Sequence, residues 1–369
     1  MNICVRKHGL PLILTLPVIL AAAAFSQDSP QKEAWDVFRR LIAVAGVSFH
    51  EEKVREEIRA LLPKEVKPIV DDMGNMVVVL GSGKPEVMFI AHMDEIGLEV
   101  TDINPDGTLK VRVRGGSFSS IWESKVVKIH TRSAVLDGII GPRRSYRDTA
   151  PADHSAADLV VYTGANTRAD AEALGIRAGD FIVQPKRVTP LGPFKSAAGS
   201  TDDRGGCTAQ LIAVRRLAGK QLPKTVAFAW VVQEETGLSG SRGLTRTYAP
   251  KCVFAVDTFV SSDAPFDPPN IGATPLGKGA VLRTFDSSNI TPQETFLRIR
   301  KIAESRKIPV QWGITSGGND GSVFLAGGAI DAPLSWPGIY SHSYVSVMDI
   351  RDLVALADLI VAIAELWRD

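Results

Sequence analysis

Apolar positions along the chain follow helical and strand rhythms in its first and last thirds, and break into short alternating runs between them. Ser29 followed by Pro30 is an N-cap and first-turn pair, and Trp35, Phe38, Leu41 and Ile42 recur at helical spacing before Gly46. A second helix is expected over residues 51–62. The runs Met76–Leu80 and Val87–Ala91 are branched or apolar and bounded by Gly, Pro or polar clusters, which predicts strands. Farther on, the pattern predicts a helix from Gly206 to Leu217, a strand from Thr225 to Val232, a helix near Ser241–Tyr248 and a strand at Cys252–Val256. Thr291-Pro292-Gln293-Glu294 reads as a capping box opening a helix to Arg306, and Asp349 starts an apolar helix ending near Trp367.

From Val100 to Val188 the texture differs. Runs such as Leu109–Val113 and Lys125–His130 are divided by the turn signals Pro105-Asp106-Gly107 and Asp137-Gly138, with a short helical pattern only at Ala169–Leu174. That predicts a small all-β domain. The simplest organisation is an α/β domain formed by residues 27–99 and 191–369, interrupted by a β domain over residues 100–190.

Residues 1–26 read differently again. Arg6 and Lys7 precede an apolar run from Leu10 to Phe25 that ends in small residues, the order of a secretory signal peptide cut near Ser26–Gln27. The run is shorter than the roughly 20 residues a membrane span needs, and Pro11 and Pro17 interrupt it. The expectation is therefore an exported protein, periplasmic or extracellular, with no stable membrane anchor after cleavage.

Composition narrows the class. Among 369 residues, 45% are hydrophobic and 22% charged, which suits a packed globular protein. The net charge of +1, with Lys and Arg scattered among acids, gives no electrostatic case for a nucleic-acid partner. Beyond Cys4 only Cys207 and Cys252 remain, too few for a disulfide framework.

Five segments carry candidate chemistry. Ala91-His92-Met93-Asp94-Glu95 follows an apolar strand; His92 can offer an imidazole nitrogen to a metal while Asp94 holds the other ring nitrogen. A satisfied structural histidine is the default for that piece alone. Asp202 and Asp203 stand before a helix they could simply cap, although a carboxylate can also bridge two cations. Glu234 and Glu235 close the apolar strand ending Trp230-Val231-Val232, where unpaired charges would be costly. Asp257 closes the next strand, and His342 lies in Tyr340-Ser341-His342-Ser343. Nitrogen and oxygen ligands of this kind suit zinc, cobalt or manganese.

Taken in order, AHMDEIG, DDRGG, QEETG, VDTF and YSHS resemble the glutamyl (deblocking) aminopeptidase family, whose members are co-catalytic metallo-aminopeptidases of the tetrahedral type. The resemblance implies a phosphorylase/peptidase-like α/β/α sandwich with a mixed central sheet and a PDZ-like β insertion. It implies two divalent metals: His92 and Asp257 on one, Glu235 and His342 on the other, Asp202 bridging (Asp203 as second choice), Asp94 orienting His92 and Glu234 as general base. Peptide substrates and a homo-oligomer, from dimer to dodecamer, follow from the same resemblance. Gly199, Ile339, Tyr344 and Ser346 depart from the family pattern without removing any of these residues. Other readings are a metal-dependent carboxypeptidase or deacylase, a non-catalytic peptide-binding protein, and a glycoside hydrolase. The last needs two carboxylates flanking a sugar at roughly 5–10 Å and gives the histidines no role.

Overall fold

The computed structural model describes residues 29–142, 155–263 and 273–368. Its largest element is a mixed sheet. The strands lie in the order Ile69–Val70, Met76–Leu80, Val226–Val231, Val87–His92, Cys252–Val260, Leu334–Gly338, Ala280–Phe285 and Val310–Ile314. The four from Val226–Val231 to Leu334–Gly338 run parallel to one another. Parallel strands must be buried on both faces, and the sequence provides this with continuous apolar runs. Phe89, Ala91, Phe228, Trp230, Phe254 and Val256 face the helices Pro30–Ile42, Thr201–Leu217 and Ile350–Leu366. The alternate residues Met88, Ile90, Ala227, Ala229 and Val253 face Leu244, Phe324 and Ala329 on the other side. Three layers result.

The second unit is a closed antiparallel barrel. Its six strands are Gly97–Ile103, Leu109–Arg114, Val161–Tyr162, Val135–Ile140, Lys125–His130 and Phe181–Val183. It has its own core of Leu98, Val100, Leu109, Trp122, Val127, Ile129, Ile140, Val161 and Ile182. Chain continuity decides where it sits: strand Val87–His92 passes through Asp94 and Glu95 directly into barrel strand Gly97–Ile103. The barrel is therefore attached beside the C-terminal edge of the parallel strands.

Two local expectations need correction. The helix expected after Thr291 runs from Gln293 to Ser305 with Pro292 at the N-cap and no side-chain cap. Thr291 is one residue too early to cap it, and its hydroxyl donates instead to the Arg283 carbonyl at 2.9 Å. The helix expected from Gly206 is traced from Thr201, but Asp202 and Asp203 have non-helical backbone angles, so the first regular turn comes after them. Cys207 and Cys252 are both buried and unpaired. The segment expected to be a signal peptide lies outside the described residues. Among the described residues, no helix is long and apolar enough to cross a membrane.

Phe228, Phe89 and Phe254 are neighbours in register on three adjacent strands and stack at centroid distances of 5.2 and 5.1 Å. Phe89 is fully buried at the centre of this stack. Phe89→Ala should lower unfolding free energy by about 3–5 kcal/mol, read from denaturant midpoints. A loss below about 1 kcal/mol would mean that the site collapses around the deletion.

Candidate metal centre

The parallel strands all end at one edge, and in open α/β sheets that edge is where loops can gather polar groups. Strand Val226–Val231 leads to Glu234 and Glu235, its neighbour ends at His92, and the next carries Asp257. Strand Leu334–Gly338 leads into Tyr340, Ser341 and His342, and the start of helix Thr201–Leu217 brings Asp202. Five distant segments thus converge.

Asp202 lies at their centre. Its Oδ1 is 3.2 Å from His92 Nε2 and its Oδ2 is 3.4 Å from His342 Nε2. Ligand atoms of His92, Asp202 and Asp257 lie within 4.8 Å of one another, and so do those of Asp202, Glu235 and His342. Asp202 is common to both groups. Its neighbour Asp203 turns away, accepting from Gly206 N at 2.9 Å and Trp336 Nε1 at 3.1 Å. Of the two readings of the aspartate pair, capping falls to Asp203 and the shared position to Asp202.

Each imidazole has its Nδ1 committed to a backbone carbonyl. His92 Nδ1 faces the Asp94 carbonyl at 3.1 Å, and His342 Nδ1 faces the Gly116 carbonyl at 2.9 Å. A carbonyl can only accept, so Nδ1 carries the hydrogen and Nε2 points at the carboxylates. Those Nε2 atoms meet acceptors too. Only a proton or a metal cation makes that contact favourable.

The ionisation balance follows. Burial works to lower the pKa of His92, but Glu234, Asp202 and Asp94 outweigh it and hold the ring well above its ordinary value. The hydrogen bond with Asp202 pushes His342 up to about 11, against burial and with help from Glu235. Burial alone would raise Asp202; the two imidazoles instead hold it well below the usual carboxylate range. Burial raises Glu234 well above its normal value, only partly countered by His92, and raises Glu235 to about 7. Asp257 is raised by burial and by Asp202. Glu235 Oε1 is buried without a hydrogen-bond partner. So many buried carboxylates, with Glu235 Oε1 and Asp203 Oδ2 unmatched, suit divalent cations.

Asp94 does more than flank His92. Its Oδ1 is 3.5 Å from His92 Nδ1. The same oxygen accepts from Glu234 N at 3.0 Å, while Oδ2 accepts from Glu235 N at 3.2 Å and Ser48 Oγ at 2.6 Å. Four further residues contribute that no local pattern singles out. Ser341 donates to Asp202 Oδ2 at 2.7 Å, and Arg283 lies 3.4 Å from Asp257 Oδ2. Gly115 and Gly116 come from the barrel. Gly115 has φ +83, and a Cβ there would stand 3.2 Å from Glu235 Oε2. Only the glycine pair after a strand hinted at such a close approach. Beside the cluster opens a cavity of about 280 Å³, bounded by His92, Glu234, Thr258, Val260, Arg283 and the Thr315–Gly318 loop.

Comparison with known proteins agrees with this arrangement. The M42 glutamyl aminopeptidase family model matches residues 74–359. The chain belongs to that family. It is 30% identical over 341 residues to the glutamyl aminopeptidase of Lactococcus lactis, covering 87% of this chain and 93% of the relative. It is 29% identical to the lysyl aminopeptidase of Pyrococcus furiosus, covering 86% and 93%. The TET1 peptidase of Pyrococcus horikoshii superposes with a TM-score of 0.84 at 35% identity, covering 90% of this chain and 99% of that one. The protein is thus a peptidase of a metal-dependent family with the mixed α/β fold of TET peptidases.

The comparisons overturn one expectation. Nothing in the descriptions of these peptidases points to a signal peptide or to export. The reading of residues 1–26 as a signal peptide, and of the protein as periplasmic or extracellular, is withdrawn. Its basis was composition: an apolar run behind Arg6 and Lys7 has the same order of residue types whatever its fate.

The carboxylate neighbours raise the pKa of both imidazoles, so a metal binding at Nε2 competes with protons there. Calorimetric titration of metal-free protein with zinc near neutral pH, in two buffers of different ionisation heat, should show net proton release. Affinity should rise with pH through neutrality, because proton competition weakens. Uptake without proton release would contradict the arrangement described for His92 and His342.

Proposed function

We propose that this protein is an aminopeptidase that works with two divalent metal ions, zinc in the first instance and cobalt or manganese as alternatives. His92 and Asp257 would hold one ion, Glu235 and His342 the other, with Asp202 between them. The observation that carries the reading is the position of Asp202, one oxygen toward each histidine. Ions bound there supply Lewis acidity, polarising the first peptide carbonyl of a substrate and lowering the pKa of a nearby water.

The chain's own residues do the rest. Glu234 belongs to neither ligand group, yet its Oε2 is 3.9 Å from His92 Nε2 and it borders the cavity. A carboxylate that is near the ions but not spent on ligation can accept the water's proton and return it to the leaving amine. Asp94 would fix His92 and the Glu234 backbone together. A free substrate amino group beside one ion would confine cleavage to N-terminal residues.

The same reading takes residues 27–99 and 191–369 as the catalytic domain and residues 100–190 as a PDZ-like insertion. The described TET1 peptidase can assemble into a tetrahedron or an octahedral shell, and a homo-oligomer is the form proposed here.

Aminoacyl-anilides with free amino groups should be hydrolysed while N-acetylated and C-terminally presented substrates are not, and chelation should remove the activity. Glu234→Gln should lower turnover by at least about a hundredfold with metal content per chain unchanged. Retained turnover in that variant would rule out Glu234 as the proton carrier.

A further inference from the structure

The segment carrying Glu234 and Glu235 leaves the sheet at Val231, so its backbone N–H groups lose their strand partners. Four successive N–H groups find side-chain acceptors instead. Val232 N donates to Asn75 Oδ1 at 3.1 Å, Gln233 N to Glu51 Oε1 at 3.1 Å, Glu234 N to Asp94 Oδ1 and Glu235 N to Asp94 Oδ2. Asn75 and Asp94 lie beside the strands they serve. Glu51 does not.

Glu51 is the N-cap residue of helix Glu52–Leu61, and its side chain makes no capping bond to that helix. It is only 4% exposed, and among the described residues no cation pairs with it. Its Oε1 accepts from Phe49 N at 2.9 Å as well as from Gln233 N. Both donors belong to non-glycine residues in the left-handed region, Phe49 at φ +79 and Gln233 at φ +56. Such backbone persists only where its surroundings over-determine it. A buried carboxylate with no ion-pair partner that ties two strained turns together is a costly feature with one evident result: it fixes the direction in which the chain enters Glu234.

We infer that Glu51 is a positioning residue for turnover, holding the Gln233 turn so that Glu234 faces the metal centre. This rests on Glu234 being the proton carrier. Glu51 touches neither the candidate ligands nor the cavity, so its loss should be felt in kcat rather than in substrate or metal binding.

Glu51→Gln keeps an oxygen acceptor at the same reach, whereas Glu51→Leu removes it. Expected results are a kcat for Glu51→Gln within about threefold of the parent, and for Glu51→Leu a kcat lowered by about ten- to a hundredfold, the scale of a small misplacement of a catalytic group. KM and two metals per chain should be unchanged in both. Glu51→Asn, with its oxygen one carbon short, is measured alongside and should behave like Glu51→Leu; it decides the matter if Glu51→Leu does not fold. An unchanged kcat without the acceptor, a failure of Glu51→Gln to preserve it, or a loss of kcat that tracks metal content would overturn the inference. Glu234→Gln in the same assay separates the two ideas. If that variant is inactive while Glu51→Leu and Glu51→Asn are normal, only the positioning role fails; if it stays active, the proton-carrier reading fails itself.

Discussion

Everything around the centre serves two imidazole rings that have an acceptor at each nitrogen. Carbonyls of Asp94 and Gly116 take the Nδ1 hydrogens, and the Nε2 atoms are aimed at opposite oxygens of Asp202. That geometry is unfavourable unless positive charge lies between the rings and the carboxylate. Protons can supply it, and so could metal ions, for which Asp257 and Glu235 stand within ligand reach of the same groups. A low-dielectric pocket makes the demand sharper.

The fold meets that demand by giving each segment a rigid origin and then a side-chain anchor. Parallel strands end side by side, so His92, Asp257 and the Glu234 loop start from fixed positions. Past the strand ends the backbone has no ladder to hold it, and buried acceptors such as Asn75 and Asp94 take over. Glu95 does the same on the other side: it is bonded to Gly46 N, Ser200, Lys186 and Arg204, linking the His92 loop to the loop before Asp202. The barrel contributes through close approach, its Gly115-Gly116 turn lying against Glu235 and His342. Removing the barrel would therefore alter the centre and not merely the surface.

Local chemistry explains which expectations were accurate. The Ser29–Pro30 start holds because Ser29 Oγ accepts from Lys32 N at 3.2 Å, a contact settled within three residues. Thr291 misled because its hydroxyl prefers a carbonyl on a neighbouring strand, a partner invisible to local spacing. The spacing of Asp94 from His92 points only to a support for that ring, but its side chain also holds two backbone N–H groups 140 and 141 positions away. The N-terminal run misled for a different reason, since composition alone does not record what happens to a segment.

By itself, the sequence determined the apolar strands, the helices that cover them, the all-β character of the middle of the chain, and the polar residues at strand ends. Those follow from periodicity and from the cost of charge beside apolar strands, both of which act over a few residues. Tertiary structure alone decided that Asp203 turns to Gly206 and Trp336, that the barrel closes against the centre, and that Glu51 reaches Gln233. Each depends on the relative placement of segments far apart in the chain, which side-chain packing fixes and no local pattern encodes.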